Sequence, residues 1–277
     1  ETLGVGVKGE GEILPATCEY LPADKNALAS LRFHGYRVEG RMGVLLDAIS
    51  AVKSHFGDTV CVTGRTAAPF SSVALAFGLN ETMLMPITQP EFLREALEFF
   101  VDYQIQFGLD QLSAGADAIW FGDCNASSHL ISPDTYRAFA LKPAKRVSSA
   151  YTEAGGVVIY HASEELPAML DLMAGAGFSI LSAGPGIAME TVREVAGDRV
   201  CLSGNVDPIG TLMNGTPDDV AREVERIARN VSCHGGHVMN SGEMVPRDTP
   251  EENVETFMET SRRIWKEIVG ANPERAD

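Results

Sequence analysis

Residues Gly156–Ser182 read GVVIYHASEELPAMLDLMAGAGFSILS. An uncharged run from Val157 to Tyr160 halts at His161, a longer stretch opens around Leu166-Pro167, two glycines interrupt it at 175 and 177, and a second apolar run, FSILS, follows. Short β-branched run, amphipathic stretch, short apolar run is the pattern of a βαβ unit. Strands without alternating polar residues are those buried on both faces, as in a parallel sheet covered by helices.

The same alternation extends outward from about residue 59. Strands are expected at Thr59–Gly64 (TVCVTG), Asp117–Gly122 (DAIWFG), Gly156–His161, Phe178–Ser182, Arg199–Gly204 (RVCLSG) and His237–Ser241 (HVMNS). Helices are expected at about 90–114, 133–154, 164–176, 187–196, 216–230 and 249–269. Ser132-Pro133, Thr216-Pro217 and Thr249-Pro250 each place a hydroxyl at an N-cap and proline at the first helical position. Ala114-Gly115-Ala116 and Ala174-Gly175-Ala176-Gly177 are turns handing a helix over to the next strand.

These units fit either a (β/α)₈ barrel or an open doubly wound sheet. Only six strands are countable, and residues 1–58 differ: Gly4, Gly6, Gly9 and Gly11 with Val5, Val7 and Ile13 suggest a hairpin. The expected organisation is one domain over 1–277 with an irregular, hairpin-containing segment at about 1–58.

Lys and Arg number 22 against 38 Asp and Glu, a formal net charge of −16. A polyphosphate partner is repelled on average, which argues against nucleic acid. No apolar stretch approaches the roughly 20 residues that span a bilayer, and no signal-peptide pattern opens the chain. Five scattered cysteines, with no CxxC pair, read as a reducing compartment, with the cytoplasm the expected location.

Gly4-x-Gly6-x-x-Gly9 matches a dinucleotide fingerprint formally, but Gly11 and Pro15 stand where its helix should begin. Cys233-His234-Gly235-Gly236-His237 resembles a metal cluster on paper; its place at the entry of a strand makes a glycine turn the better reading. Barrel enzymes keep their chemistry at the C-terminal strand ends. Those ends hold Gly64-Arg65, Asp123-Cys124, His161, Ser182, Asn205-Val206-Asp207 and Asn240-Ser241-Gly242-Glu243. Imidazole, carboxylate and thiolate are ligands zinc prefers. Cys201, at a strand start, is expected to be a buried apolar thiol.

Several segments together resemble the uroporphyrinogen decarboxylase superfamily, and more closely its corrinoid-dependent methyltransferase branch. They are Gly64-x-x-x-x-Pro69-Phe70, Ala114-Gly115-Ala116-Asp117, Asp123-x-x-Ala126-Ser127, Leu130-Ile131-Ser132-Pro133, His161, Gly204-Asn205-Val206-Asp207-Pro208 and Thr249-Pro250-Glu251-Glu252-Asn253-Val254. The resemblance implies an α/β (β/α)₈ TIM barrel whose first βα units are lacking from this chain. It implies methyl transfer between a partner corrinoid protein carrying methylcobalamin and a small thiol, methoxy or methylamine compound, with zinc holding the substrate. The partner is expected over the loops after Asp123, His161 and Asn205.

In that branch zinc is held by His-x-Cys and a further Cys after the last strand. Here His161 stands at the histidine position, Ser163 replaces the first cysteine and Glu243 falls where the second would be. The expected metal set is therefore His161, Glu243 and Cys124, with Asp123 or Glu164 as other completing ligands. Catalytic roles fall to His161, Glu243 and Asp123, and cofactor contacts to Ser182, Asn205 and Asp207. A decarboxylase acting on a polycarboxylate, or a non-catalytic small-ligand-binding barrel, are the alternatives.

Overall fold

β-Branched and apolar runs form the strands, and the segments between them carry the helices. A computed structural model describes residues 2–9, 16–31 and 41–271. Strands β1 (Gly6–Lys8) and β2 (Ala16–Glu19) pair antiparallel. Six further strands make a parallel sheet in chain order: β3 (Thr63–Ala67), β4 (Ala118–Gly122), β5 (Val157–Glu164), β6 (Ile180–Ala183), β7 (Cys201–Val206) and β8 (His237–Ser241). The fold class is α/β, of the barrel type expected from the sequence.

The chain divides into two compact units, 1–160 and 161–277, with the boundary inside β5. In the first unit, helices Met42–Phe56, Pro69–Phe77, Leu79–Thr88 and Pro90–Ser113 accompany β3 and β4. Phe92, Leu93, Ala96, Leu97, Phe100 and Val101 of Pro90–Ser113 are buried. Next come Pro133–Thr135, a π-wound turn at Tyr136–Ala140 and helix Leu141–Glu153. Glycine at 108 lets Tyr151 of that last helix lie close: a Cβ there would fall 2.1 Å from the ring. The Tyr151 hydroxyl donates to the Gln104 carbonyl at 2.5 Å.

The second unit carries helices Pro167–Ala174, Met189–Ala196, Pro217–Asn230 and Glu251–Ala271. Thr216 caps Pro217–Asn230 reciprocally: its hydroxyl accepts from the Asp219 N–H at 3.3 Å, and the Asp219 carboxylate accepts from the Thr216 N–H at 2.9 Å. Ser132 likewise accepts from the Thr135 N–H.

Several boundaries differ from expectation. The strand expected at 59–64 runs at Thr63–Ala67, because Thr59, Val60 and Cys61 are exposed and Thr59 bonds back to the Phe56 carbonyl. Arg65 is thus mid-strand rather than at a strand end. The strand expected to end at His161 continues to Glu164, so His161 lies inside it. Thr249 is not the N-cap: the helix starts at Glu251, and the Thr249 hydroxyl is buried without a hydrogen bond among the described residues.

Helices Lys25–Ser30 and Met42–Phe56 lie within the segment read as irregular. The second buries only Leu46 and Ile49 while Val44, Val52 and Phe56 are exposed, so its apolar pattern is thin. Of the hairpin residues, Gly11 and Ile13, like Pro15, lie outside the described residues. Gly6 sits in β1 with the Glu19 side chain 2.7 Å from where its Cβ would be, a close strand pairing and not a phosphate loop. No single helix among the described residues is long and apolar enough to cross a membrane.

Candidate metal centre

The part of β5 in the second unit brings His161 and Ser163 to the candidate centre. His161 is 6% exposed, and its Nδ1 lies 3.0 Å from the Ser182 hydroxyl of β6. Its Nε2 lies 3.3 Å from Oε1 of Glu243, just past β8. Ser163 donates to the same Glu243 oxygen and lies 3.4 Å from His161 Nε2. His161 first, then the Ser163 hydroxyl, hold the Glu243 carboxyl down at about 2 against the opposing effect of partial burial. Glu243 is therefore an anion across the physiological range.

This donor pair fits a metal ion. Zinc binds imidazole nitrogen and carboxylate oxygen at about 2.0–2.2 Å, so two ligands on one tetrahedral edge stand roughly 3.3–3.5 Å apart. The 3.3 Å separation of His161 Nε2 and Glu243 Oε1 matches that edge. Ser182 acts behind the ring: it is fully buried, and by engaging Nδ1 it leaves Nε2 facing Glu243. Ser163 has φ +54°, in the left-handed region that serine rarely adopts.

The other strand-end residues of this unit are tied to backbone. Both N–H groups of Asn205 serve the loop after β6, donating to the carbonyls of Gly184 at 2.8 Å and Ile187 at 2.7 Å. Asp207 caps the π-wound turn Pro208–Met213, accepting from the N–H groups of Ile209 and Gly210. Glu164 is fully buried and accepts from the Glu165 and Leu166 N–H groups, holding the turn out of β5. The 233–237 segment is a glycine turn, with Gly235 and Gly236 at φ +82° and +56°. His237 is clamped between the Ser232 hydroxyl and the Gly204 carbonyl, each at 2.8 Å, and burial lowers it to about 4. Cys201 begins β7 half-buried, and burial raises its thiol.

In the first unit Asp123 is fully buried at the end of β4. Its Oδ1 accepts from the Ser71 hydroxyl at 2.8 Å and the Ser71 N–H at 3.2 Å; its Oδ2 accepts from the Tyr160 hydroxyl at 2.8 Å. Tyr160 in turn lies 3.1 Å from the Tyr136 hydroxyl. Burial pushes the Asp123 carboxyl up to about 6, opposed by the hydrogen bonds from Tyr160 and Ser71. Cys124 is exposed and opens the 3₁₀ turn Cys124–Ala126. Ser71, Tyr136 and Tyr160 were not singled out in the sequence. The available signal was that a buried tyrosine needs a partner for its hydroxyl.

A family model described as Uroporphyrinogen decarboxylase (URO-D) matches residues 1–264. Uroporphyrinogen decarboxylase of Chlorobaculum parvum is 29% identical over 235 residues, covering 80% of this chain. That match spans 65% of the decarboxylase's own length. Methylcobamide:CoM methyltransferase of Methanosarcina acetivorans is 26% identical over 266 residues, 95% of this chain and 76% of the relative. A solved methyltransferase from Methanosarcina mazei superposes with a TM-score of 0.86 at 25% identity, covering 95% of this chain and 77% of that one.

Proposed function

Because the chain belongs to the uroporphyrinogen decarboxylase family, we propose that it is a corrinoid-dependent methyltransferase, moving a methyl group between a separate corrinoid protein and a small substrate. The observation that carries the reading is the His161–Glu243 pair, spaced for one metal ion. The likeness to a methylcobamide:CoM methyltransferase along nearly the whole chain supports it. His161 and Glu243 are the proposed zinc ligands, and a zinc ion held there would supply Lewis acidity that lowers the pKa of a bound heteroatom.

The chain's own groups set the geometry. Ser182 fixes the His161 ring, Ser163 and His161 keep Glu243 ionised, and the Asp123–Tyr160 hydrogen bond holds an ionisable carboxyl at the end of β4. Asp123 is the proposed proton-holding group. Asn205 and Asp207 hold the loops after β6 and β7. None of the five cysteines forms a disulfide among the described residues, and a cytoplasmic location is part of the proposal.

Metal analysis tests the reading. Purified protein is expected to hold stoichiometric zinc that is lost in both His161→Ala and Glu243→Ala, and to change the visible spectrum of methylcobalamin when a thiol acceptor is added. Metal-free protein with no cobalamin-dependent turnover overturns it. The decarboxylase reading draws on the Chlorobaculum parvum relative. Conversion of uroporphyrinogen to coproporphyrinogen would establish that reading, although a net charge of −16 disfavours a polycarboxylate substrate.

A further inference from the structure

Two adjoining cavities lie within the 1–160 unit. One, of about 410 Å³, is walled by β1, helix Met42–Phe56 and helix Pro90–Ser113, with apolar lining from Val5, Leu45, Leu75 and Phe100. The other, of about 300 Å³, lies at the C-terminal parts of β3 and β4 against Arg65, Thr66, Cys124 and Asn125. Met42, Ala67, Leu75, Gln104 and Phe107 line both. Small-molecule sites are apolar clefts of this order, roughly 300–1,000 Å³, with a few placed polar groups. Two such groups stand here without partners.

The first is Gln104, 6% exposed, whose Oε1 is buried with no hydrogen bond among the described residues. Nε2 donates to the Ser72 hydroxyl at 2.9 Å, and that hydroxyl spends its proton on the Ala68 carbonyl at 3.0 Å. With the Ser72 hydroxyl donating to Ala68, Oε1 is the side left without a partner. Leaving a buried acceptor unmet costs about 1–3 kcal/mol, which a ligand's donor recovers.

The second is Arg65. Residues 63, 65 and 67 share one face of β3, opposite Gly64 and Thr66, which are buried. Gln111 takes the Arg65 backbone at both its N–H and its carbonyl, fixing the strand and leaving the side chain uncommitted. Arg65 is exposed, and its guanidinium makes no hydrogen bond or ion pair among the described residues. An unpaired planar fork beside an apolar cavity suits a carboxylate.

We propose that these joined cavities bind a small organic carboxylate with an apolar body and one O–H or N–H donor. The carboxylate pairs with Arg65, the donor reaches Gln104 Oε1, and the body lies against Leu75, Phe100 and Phe107.

The test is calorimetric titration of the metal-free chain, without corrinoid, using 4-hydroxybenzoate as probe. Benzoate, which lacks the donor, and 4-hydroxybenzamide, which lacks the charge, are the comparison arms. Saturable binding of 4-hydroxybenzoate is expected, weakened at least ~10-fold by Arg65→Gln and to a similar extent in the benzamide, as for loss of a charge-assisted pair. Gln104→Leu is expected to bring 4-hydroxybenzoate down to the affinity of benzoate. No saturable binding at millimolar probe, or equal binding by Arg65→Gln with its melting temperature unchanged, overturns the proposal. Because no metal or corrinoid is present, either failure leaves the zinc and turnover measurements to judge methyl transfer on their own.

Discussion

At the residue scale, the candidate centre depends on a hydroxyl that meets no solvent. Ser182 is fully buried against His161 Nδ1, so it acts through the ring. Ser182→Ala is expected to weaken zinc binding about 10–100-fold while leaving the fold intact, which chelator competition and a thermal melt together would measure. A loss of melting temperature with unchanged zinc affinity would mean that Ser182 only packs. Glu243→Gln keeps the shape and removes the charge, and zinc retention should fall in parallel with it. His161 and Glu243 stood out in the sequence because each follows an apolar run in a parallel-sheet protein. Asn205 and Asp207 stood out for the same reason, yet their polar groups hold turns, because short amide and carboxylate side chains serve backbone N–H and C=O groups as readily as ligands. Ser71 and the tyrosines were invisible because their partners lie tens of residues away in sequence.

At the element scale, two contacts decide how helices seat. Gly108 admits the Tyr151 ring, so Gly108→Ala is expected to cost about 1–3 kcal/mol through overpacking despite alanine's better helix propensity, seen as a lower denaturant midpoint. Thr216→Ala removes the reciprocal cap and should cost about 1 kcal/mol in the same measurement. Sequence reading found the six parallel strands and the later helices because their periodicity and proline-marked starts are local. It misplaced β3 because Thr59-Val60-Cys61 has strand-like composition, while burial begins only at Val62. It missed Met42–Phe56 because that helix offers the core only two residues.

At the scale of the whole molecule, stability should carry an acid signature from the second unit. His237 is lowered by burial from 6.5 to about 4 in the folded state. The unfolded chain therefore binds the proton first, so stability is full above pH 6.5 and falls as pH drops toward 4, by roughly 3 kcal/mol in all. His237→Asn is expected to flatten that fall; denaturant melts between pH 7 and 4 check it, and an unchanged slope contradicts the assignment. Family membership was legible across the chain because order and spacing of many weak motifs survive at 25–29% identity, whereas ligand identity rests on single letters. Ser163 is such a letter. Its left-handed backbone already presents a side chain to His161 and Glu243, and only one atom separates its hydroxyl from a thiol. Ser163→Cys should therefore raise zinc affinity without rebuilding the loop, so that a single codon would add a sulfur ligand to a centre otherwise held by nitrogen and oxygen.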